Sequence, residues 1–367
     1  MPYTRVFLSN FMRIKFLITD ITGIGGIERV TVTVANEFIA QGHEVEIISF
    51  FKRYDTLAYT PSNNVKVHFL SSDDYDLENS TISRIRLLYK ANLLLSKYLK
   101  DKDFDYIIAQ AFLPAFELWC AGYIKRTIIC EHFKYGLYDT VMTGFRNWIY
   151  KKACKVVTLT ESDCHQFQNA RIRSVTIPNM NPFQIKANNS HGKRIIAIGR
   201  LHPQKGFDML IAAMQKVAHQ YPEWVCDIYG GGEQSDFKEL IHKMKIDKNV
   251  QLKGFCTDIQ SELLNSDLFV LSSRYEGLPM VMLEAMSSGV PIVSFDCPEG
   301  PAALLENEGG LLVPPEKIDK LAESIITMIG NPELRDKYRL NAYRNIEKYS
   351  PGKIYPLWAR LFEEVKQ

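Results

Sequence analysis

The sequence contains no long hydrophobic run. No apolar stretch reaches the roughly 18–20 residues that a membrane-spanning helix requires. The stretch near the start, within MPYTRVFLSNF, is too short for a secretory signal. The segment MRIKFLITD predicts a natural start at Met12, which would make residues 1–11 a short extension. We therefore expect neither a membrane span nor a cleaved leader.

Cysteine is sparse and scattered. The seven cysteines are odd in number and show no C-x-x-C spacing. Disulfide frameworks and structural metal sites need paired or clustered cysteines, so the pattern indicates incidental thiols in a reducing compartment. We expect a cytoplasmic protein, at most peripheral on the inner face of the membrane.

Neither sign of charge dominates. The 44 Lys and Arg residues against 42 Asp and Glu residues give a net charge of +2, which predicts no nucleic-acid partner. The 46% hydrophobic and 23% charged residues are typical of a globular protein. A chain of 367 residues is too long for one typical core and predicts two domains.

Short apolar runs alternate with helical patterns along the chain, which predicts α/β domains built on parallel sheets. The helical patterns of the first half cover residues 26–41, 82–100 and 161–169. The predicted strands of this half are 13–19, 44–50, 65–70, 105–109, 126–130, 155–159 and 174–177.

A second alternating series follows a linker. The segment IPNMNPFQIKANNSHGK, residues 177–193, interrupts both patterns with proline, asparagine and glycine. Predicted strands then cover 194–199, 224–229, 249–253, 267–271 and 291–295, and predicted helices 206–220, 233–246, 279–288, 316–329 and 332–347. We predict an N-terminal domain over residues 1–180, a C-terminal domain over 190–350 and a closing helix within 351–367.

Both predicted domains are doubly wound, Rossmann-like folds. Ligands of such sheets bind beyond the carboxyl ends of the strands, where the strand order reverses. Two such domains facing one another across a cleft would place the natural site in that cleft. Candidate residues are therefore those in loops directly after predicted strands.

A glycine-rich loop follows the first predicted strand, in the sequence DITGIGGIER. Gly25 and Gly26 would let the backbone approach a ligand, and the N-terminus of the next helix favours an anion. The loop matches neither G-x-G-x-x-G nor the Walker pattern. A purely structural turn is equally well supported, and the same two interpretations apply to Gly230–Gly232.

Two cations flank the loop after the first strand of the second domain, in GRLHPQKG. Arg200 follows the strand and Lys205 precedes the next helix. A guanidinium fork and an ammonium point charge at the mouth of a sheet suit a diphosphate. The alternative is a pair of solvated surface cations.

The segment SSRYEGLPMVMLEA, residues 272–285, combines two carboxylates with a helix start. Glu276 follows the apolar run 268–271, and Pro279 suits the first turn of a helix. Glu284 falls among apolar side chains, where a carboxylate needs a partner such as a sugar or ribose hydroxyl. A solvated loop for Glu276 and an internal ion pair for Glu284 remain the alternative.

One histidine, His132, directly follows a predicted strand of the first domain. A lone histidine in this position is more often a structural hydrogen-bond donor than a catalyst. Its place at the strand-end edge of the sheet is nevertheless compatible with a ligand role.

These motifs together resemble the retaining glycosyltransferases of family four. The resemblance rests on GGIER, GRLHPQKG, the Glu-x7-Glu pair Glu276 and Glu284, and GPAALLENEGGLLVPP, in matching order from about Met12 to the C-terminus. It implies the GT-B fold of two facing Rossmann-like domains. It also implies a last helix, residues 351–365, that crosses back to the first domain.

The resemblance implies a role for each matching residue. Arg200 and Lys205 match the cations that hold the donor diphosphate, and Glu276 matches the acid that binds the transferred sugar. Glu284 matches the acid that binds the ribose, and His132 a histidine beside the donor sugar. Arg200, Lys205, Glu276 and His132 form the implied catalytic group. The other implied donor contacts are Gly25, Gly26, Gly254, Phe255, Leu278, Pro279, Met280 and Val281.

The implied reaction moves a hexose or N-acetylhexosamine from a nucleotide-sugar, expected to be a UDP-sugar, to a saccharide acceptor with retention of configuration. Bacterial members of this family commonly extend lipid-linked oligosaccharides. The resemblance therefore also implies that the acceptor is a lipid-linked oligosaccharide of capsule, O-antigen or lipopolysaccharide synthesis. No cofactor is expected, since the chain shows no Asp-x-Asp motif at the family's metal position. Arg200, Lys205 and a helix N-terminus would neutralise the leaving diphosphate instead.

Basic residues of the first domain offer contact with an anionic membrane. They are Arg84, Arg86, Lys90, Lys97, Lys100 and Lys102 in one group and Lys151, Lys152 and Lys155 in another. A solvated helix face is an equally good interpretation.

Two other functions remain open. A nucleotide-sugar epimerase or hydrolase shares the two-domain architecture and would release an altered sugar without an acceptor. A catalytically silent partner of another transferase is the second, and the presence of all four residues Arg200, Lys205, Glu276 and Glu284 argues against it.

Overall fold

The computed structural model describes residues 11–73, 81–188, 190, 192–298 and 300–366. The chain divides into two compact units. The first unit consists of residues 1–180 and 351–367, and the second of residues 181–350. Of the extension predicted for residues 1–11, all but Phe11 lies outside the described residues.

The first unit is built on a seven-stranded parallel sheet. Its strands are β1 (Arg13–Asp20), β2 (Glu44–Phe51), β3 (Lys66–Phe69), β4 (Tyr106–Gln110), β5 (Thr127–Glu131), β6 (Lys155–Thr158) and β7 (Ser174–Thr176). The strand order is β3-β2-β1-β4-β5-β6-β7. The order therefore reverses between β1 and β4, where Ile14 pairs with both Val45 and Tyr106.

Six helices accompany this sheet in the described residues: α1 (Gly26–Ala40), α2 (Thr81–Lys100), α3 (Phe112–Cys120), α4 (Thr140–Tyr150), α5 (Glu161–Asn169) and α13 (Pro351–Lys366). The sequence patterns did not predict α3 and α4. One core cluster joins strand residues such as Leu17 with Leu95 of α2, Leu118 of α3 and Ile149 of α4. These three helices therefore cover the same face of the sheet.

The C-terminal helix α13 packs into the first unit through aromatic side chains. The ring of Phe38 in α1 lies 5.5 Å from the rings of both Trp358 and Phe362. His43 Nε2 lies 2.9 Å from the Tyr355 hydroxyl. Because each large buried side chain contributes about 1.5–3 kcal/mol, this contact fixes α13 to the first unit.

The second unit repeats the architecture with six parallel strands: β8 (Arg194–Ile198), β9 (Val225–Tyr229), β10 (Val250–Gly254), β11 (Leu268–Leu271), β12 (Ile292–Phe295) and β13 (Leu311–Val313). Their order is β10-β9-β8-β11-β12-β13, so this sheet reverses between β8 and β11. The two predicted Rossmann-like doubly wound α/β domains are confirmed.

The helices of the second unit are α6 (Phe207–Gln220), α7 (Ser235–Lys243), α8 (Ile259–Leu264), α9 (Met280–Ser287), α10 (Pro301–Leu304), α11 (Ile318–Gly330) and α12 (Pro332–Ile346). Seven of the eight residues of α9 are buried. A helix that is apolar around its whole circumference is surrounded by other elements. The N-terminus of α9 is therefore held firmly at the edge of the sheet.

Within the described part of the chain, no helix has the length and apolarity that a membrane crossing requires.

Candidate functional site

The loops after β8 and β11 bring several predicted residues together in the second unit. These strands are neighbours at the point where the sheet order reverses, with Phe269 paired to Ile196. The carboxyl ends of parallel strands open at the same edge. Lys205 and Glu276 meet there, although 71 positions separate them.

The ammonium of Lys205 contacts the carboxylate of Glu276. Nζ lies 2.6 Å from Oε1, and the side chains are 16% and 8% exposed. The Ser273 hydroxyl donates to the same oxygen at 2.6 Å. The interpretation of Glu276 as a solvated loop residue is therefore wrong.

Close backbone packing fixes the position of Lys205. A Cβ placed on Gly199 would lie 3.0 Å from Lys205 Cγ and Cδ, so the lysine stem lies directly over this glycine. The Ser272 hydroxyl donates to the Lys205 carbonyl at 2.9 Å. Gly206 has a φ of +62°, and a Cβ there would lie 2.0 Å from the Ser272 carbonyl oxygen. The loop is therefore tightly constrained around the lysine.

Arg200 follows β8 and is exposed. Among the described residues, its guanidinium makes no ion pair and no side-chain hydrogen bond. A cation in this state is available to an anionic ligand at the same strand-end edge.

The N-terminus of α9 adds backbone donors. Pro279 is the N-cap, with φ −69° and ψ 111°, so the helix begins at Met280, one residue after the predicted start. Gly300, with φ +55°, packs against Pro279 and the Gly277 carbonyl, where a Cβ would lie 2.1 Å from the oxygen. The first-turn amides of a helix lack intrahelical acceptors and favour an anion.

Glu284 lies one turn further along α9 and is fully buried. Its backbone carbonyl accepts hydrogen bonds from the Ser287 hydroxyl at 3.0 Å and the Ser288 amide at 3.1 Å. The structure therefore keeps the Glu284 side chain inside the unit.

The sequence did not single out Ser273 or Cys297 as site residues. Cys297 is buried, and burial together with the nearby charge of Glu276 raises the pKa of its thiol to about 12. An isolated serine or cysteine carries no pattern that would reveal such a contact, because only the folded chain places it beside the carboxylate.

Gly254 and Phe255 lie at the carboxyl end of β10. Gly254 has a φ of +74° and open space where a Cβ would stand. The ring of Phe255 is 45% exposed, which leaves it accessible to a flat ligand.

At other strand ends, close packing explains why the residue is glycine. A Cβ on Gly230 would lie 1.7 Å from the Gly199 carbonyl oxygen, so the turn interpretation explains this part of the glycine run. Gly25 caps α1, which begins at Gly26. A Cβ on Gly25 would lie 2.6 Å from the Glu28 carboxylate, which folds over the loop.

His132 belongs to the first unit and lies beside Gln110. Its Nε2 is 2.6 Å from the Gln110 side-chain oxygen, which only accepts hydrogen bonds, so Nε2 carries the proton. Burial lowers the pKa of His132 to about 4, so the ring is neutral at pH 7. Both side chains line a small pocket with apolar walls that include Val34, Leu159 and Trp358.

A charged cluster that the sequence did not predict adjoins His132. The buried Glu131 accepts a hydrogen bond from the Tyr150 hydroxyl at 2.8 Å. Arg146, also fully buried, lies 4.7 Å from the Tyr135 ring centroid and 4.9 Å from that of Phe167. The aromatic rings and the nearby carboxylates stabilise a guanidinium removed from water.

The described residues contain no group of three or more His, Cys, Asp or Glu side chains arranged to hold a metal ion.

Two family descriptions match consecutive parts of the chain. Residues 24–180 match "Glycosyltransferase Family 4", and residues 181–345 match "Glycosyl transferases group 1". The boundary between them coincides with the division of the structure at Met180.

Individual proteins are similar over nearly the full length. An uncharacterised glycosyltransferase of Haemophilus influenzae is 29% identical, over 94% of this chain and 98% of its own length. The amylovoran biosynthesis glycosyltransferase AmsD of Erwinia amylovora is 25% identical, over 94% of this chain and 98% of its own. The crystal structure of a Staphylococcus aureus TarM point mutant, in complex with fondaparinux, α-GlcNAc-glycerol and UDP, has a TM-score of 0.80 at 20% identity. The similarity covers 96% of this chain and 100% of TarM.

The two units and these similarities define the class: this chain is a glycosyltransferase of the GT-B type. Its relatives include a glycosyltransferase of polysaccharide biosynthesis.

Proposed function

We propose that this glycosyltransferase transfers a hexose or N-acetylhexosamine from a UDP-sugar to a saccharide acceptor with retention of configuration. The observation that carries the proposal is the Lys205–Glu276 pair, held at the strand-end edge with Arg200 and the N-terminus of α9. The presence of UDP in the TarM structure supports uridine as the nucleotide.

The donor diphosphate is assigned to the cationic edge. Arg200 and Lys205 supply two positive charges, and the amides of Met280 and Val281 supply directed donors. Charge-assisted hydrogen bonds of this kind contribute about 1.5–3 kcal/mol each. Together they stabilise the charge that develops on the departing diphosphate.

Glu276 is assigned to the hydroxyls of the transferred sugar. Lys205 and Ser273 both contact Oε1, so among the described residues Oε2 remains for a ligand hydroxyl. Glu284 is assigned to the ribose. Because its carboxylate is fully buried, this role requires α9 or its neighbours to expose it when the donor binds.

The reaction is a single-face substitution. The acceptor hydroxyl attacks the anomeric carbon on the face from which the diphosphate leaves. The bond from carbon to the diphosphate oxygen breaks, the bond to the acceptor oxygen forms, and the acceptor proton passes to the departing diphosphate. Neutral His132 is assigned to a hydrogen bond with the donor sugar, since a pKa of about 4 keeps it uncharged.

The acceptor is proposed to be a lipid-linked oligosaccharide of bacterial polysaccharide synthesis. The similarity to AmsD over 98% of that protein's length supports this class of pathway. No metal is assigned to the reaction, because cations and backbone donors of the chain itself suffice to neutralise the diphosphate.

A thermal-shift screen tests the donor. The protein is heated with UDP, GDP, ADP, CMP and their sugar conjugates, with EDTA present. A ligand at a hundred times its dissociation constant stabilises by about 2.7 kcal/mol. We expect a shift with UDP and its conjugates only, lost in Lys205→Met and kept in Lys216→Met, an exposed lysine of α6 that pairs with Asp319. A shift with GDP and its conjugates, but not with UDP, would show that the donor is a GDP-sugar.

A transfer assay tests the reaction. With a UDP-sugar and a soluble saccharide acceptor, NMR of the product should show the anomeric configuration of the donor. Inversion would contradict the retaining mechanism. An altered free sugar formed without acceptor would establish the epimerase or hydrolase alternative, and nucleotide binding without any turnover would favour the silent-partner alternative.

A further inference from the structure

The outer surface of helices α2, α3 and α4 is unusually apolar. These helices cover one face of the first sheet with their inner sides, through Leu95, Leu118 and Ile149. Their outer sides would ordinarily be polar, because solvent covers them. Several large apolar side chains are exposed there instead.

Helix α2 exposes a regular apolar stripe. Ile85, Tyr89 and Leu93 are spaced four residues apart and are between 53% and 68% exposed. The opposite side of the helix is already buried in the core through Leu87, Ala91, Leu95 and Leu99. The exposed stripe is therefore not needed for the fold of the first unit.

Helix α4 exposes a second stripe. Val141, Phe145 and Trp148 lie on one side of the helix and are between 38% and 81% exposed. The Trp148 ring lies 5.2 Å from Trp119 of α3, and Phe145 lies 6.0 Å from Phe116 of α3. The partly buried aromatic rings of α3 therefore extend the apolar surface of α4 towards α2.

The charge of this surface is positive. Helices α2 and α4 contain no acidic residue. The basic side chains on and beside them are Arg84, Arg86, Lys97, Lys100, Lys151 and Lys152. The Lys152 ammonium lies 3.3 Å from the Trp148 ring centroid, so a cation and an aromatic ring lie together.

Two of the lysines predicted to contact lipid have partners within the protein. Lys155 pairs with Glu364, and its side chain is only 12% exposed. Lys90 lies 3.0 Å from Asp73. The expectation that Lys155 contacts lipid is wrong, because its side chain belongs to the contact between β6 and α13.

We propose that this surface docks the protein on an anionic lipid membrane. The lipid-docking face consists of Ile85, Tyr89, Leu93, Val141, Phe145 and Trp148 with the surrounding basic residues. Exposed apolar patches of this extent mark interaction sites. Tryptophan and tyrosine favour the headgroup region, and lysine and arginine attract anionic headgroups. The combination of both residue classes selects a lipid surface over a purely apolar protein partner.

Lipid docking is independent of the transfer chemistry. The face lies entirely on helices of the first unit, whereas the Lys205–Glu276 pair belongs to the second. Variants of the face should therefore leave transfer to a soluble acceptor unchanged. Failure of either proposal leaves the other standing.

Vesicle flotation of the full chain tests the proposal. The vesicles are phosphatidylcholine alone or with about one third phosphatidylglycerol, in roughly 0.1 M or 0.5 M salt. We expect binding to the anionic vesicles at low salt and much weaker binding to the neutral ones. The tryptophan emission should shift to shorter wavelength on binding, and Trp148→Phe should reduce the shift, since Trp224 and Trp358 are buried and only the half-buried Trp119 shares the surface with Trp148.

Matched variants separate the apolar and charged contributions. Ile85→Ser/Tyr89→Ser/Leu93→Ser should weaken vesicle binding at least about tenfold, whereas Leu340→Ser should not. Leu340 is 58% exposed on α12 of the second unit and matches Leu93 in exposure. Arg86→Gln and Lys97→Gln should each weaken low-salt binding about fivefold. Unchanged thermal melts establish that the variants are folded.

Three results would overturn the proposal. The first is that the wild-type protein does not bind anionic vesicles. The second is that the triple serine variant binds them as well as the wild type does. The third is a dimer in solution that the same variants dissociate while vesicle binding persists, which would make the face a contact between two copies of the chain.

Discussion

The Lys205 ammonium lies 2.6 Å from Glu276 Oε1, with both side chains largely removed from solvent. The two residues come from loops after different strands, and the hydroxyl of Ser273 donates to the same carboxylate oxygen. A carboxylate held in this way depends on its cation, because removing one partner of a buried pair leaves an uncompensated charge.

Lys205→Met should therefore destabilise the protein by about 2–4 kcal/mol and abolish UDP binding. The double variant Lys205→Met/Glu276→Gln should recover most of the stability, since no charge remains unpaired, but not the binding. Urea denaturation and titration calorimetry with UDP measure the two effects. A double variant that binds UDP like wild type would contradict the donor assignment.

Gly206→Ala should cost at least about 2 kcal/mol. The added Cβ would meet the Ser272 carbonyl oxygen at 2.0 Å in a backbone with φ +62°. Gly144→Ala is the control, because Gly144 is exposed inside α4 with no atom within 4 Å of the new Cβ. The control should gain about 0.5–1 kcal/mol. Equal melting temperatures for the two variants would show that the loop around Lys205 is not constrained.

His132 should make the protein less stable as the pH falls. Its pKa is lowered from 6.5 to about 4 by burial, so between these values the unfolded chain binds the extra proton. The stability it contributes is present above about pH 6.5 and is lost on acidification towards pH 4, by up to about 3 kcal/mol. His132→Gln should flatten this part of the profile measured by urea denaturation. An unchanged slope would refute the burial of a neutral ring.

Glu117 should make the protein less stable as the pH rises, which is the opposite of the effect of His132. Burial raises the pKa of this α3 carboxyl to about 7, although Asn92 of α2 donates to it at 2.7 Å. The folded protein therefore holds the proton that the unfolded chain releases near pH 4.5, and stability falls as the pH rises from about 4.5 to 7. Glu117→Gln keeps the acceptor and should stabilise at pH 8 by about 1–3 kcal/mol. Glu37→Gln, on α1, serves as a comparison at a carboxylate whose pKa is also raised by burial. No gain for Glu117→Gln at pH 8 would show that the carboxyl is solvated in the folded state.

Much of the fold follows from local pattern. The strands that run through the cores of both units are short β-branched runs, and their predicted positions match β1 to β12 within a few residues. Most elements that were missed have weaker signals: α3 is apolar almost throughout, α8 and α10 are short, and β13 has three residues. The missed helix α4 differs, because its 11 residues carry large apolar side chains on the exposed side of the helix. Short or uniformly apolar segments carry no periodicity by which to recognise them.

The sequence could predict the site only as a set of residue types and their spacing along the chain. The sequence pointed to Arg200, Lys205, Glu276 and Glu284, but not to the contact that joins Lys205 to Glu276. It also gave no reason to single out Ser273, Gln110 or the Arg146 cluster, because each is a common residue in an unremarkable stretch. Their significance comes from partners 3 to 22 positions away in the chain.

The sequence by itself determined the alternation of strands and helices and the residue types at the strand ends, since these depend on short-range periodicity and backbone preference. The tertiary structure decided which of these side chains meet, which carboxylates leave water, and which helix faces remain uncovered. Strand order sets those outcomes: only when β8 lies beside β11 does the lysine reach Glu276, and only when α2, α3 and α4 share one sheet face do their outer stripes form a common surface.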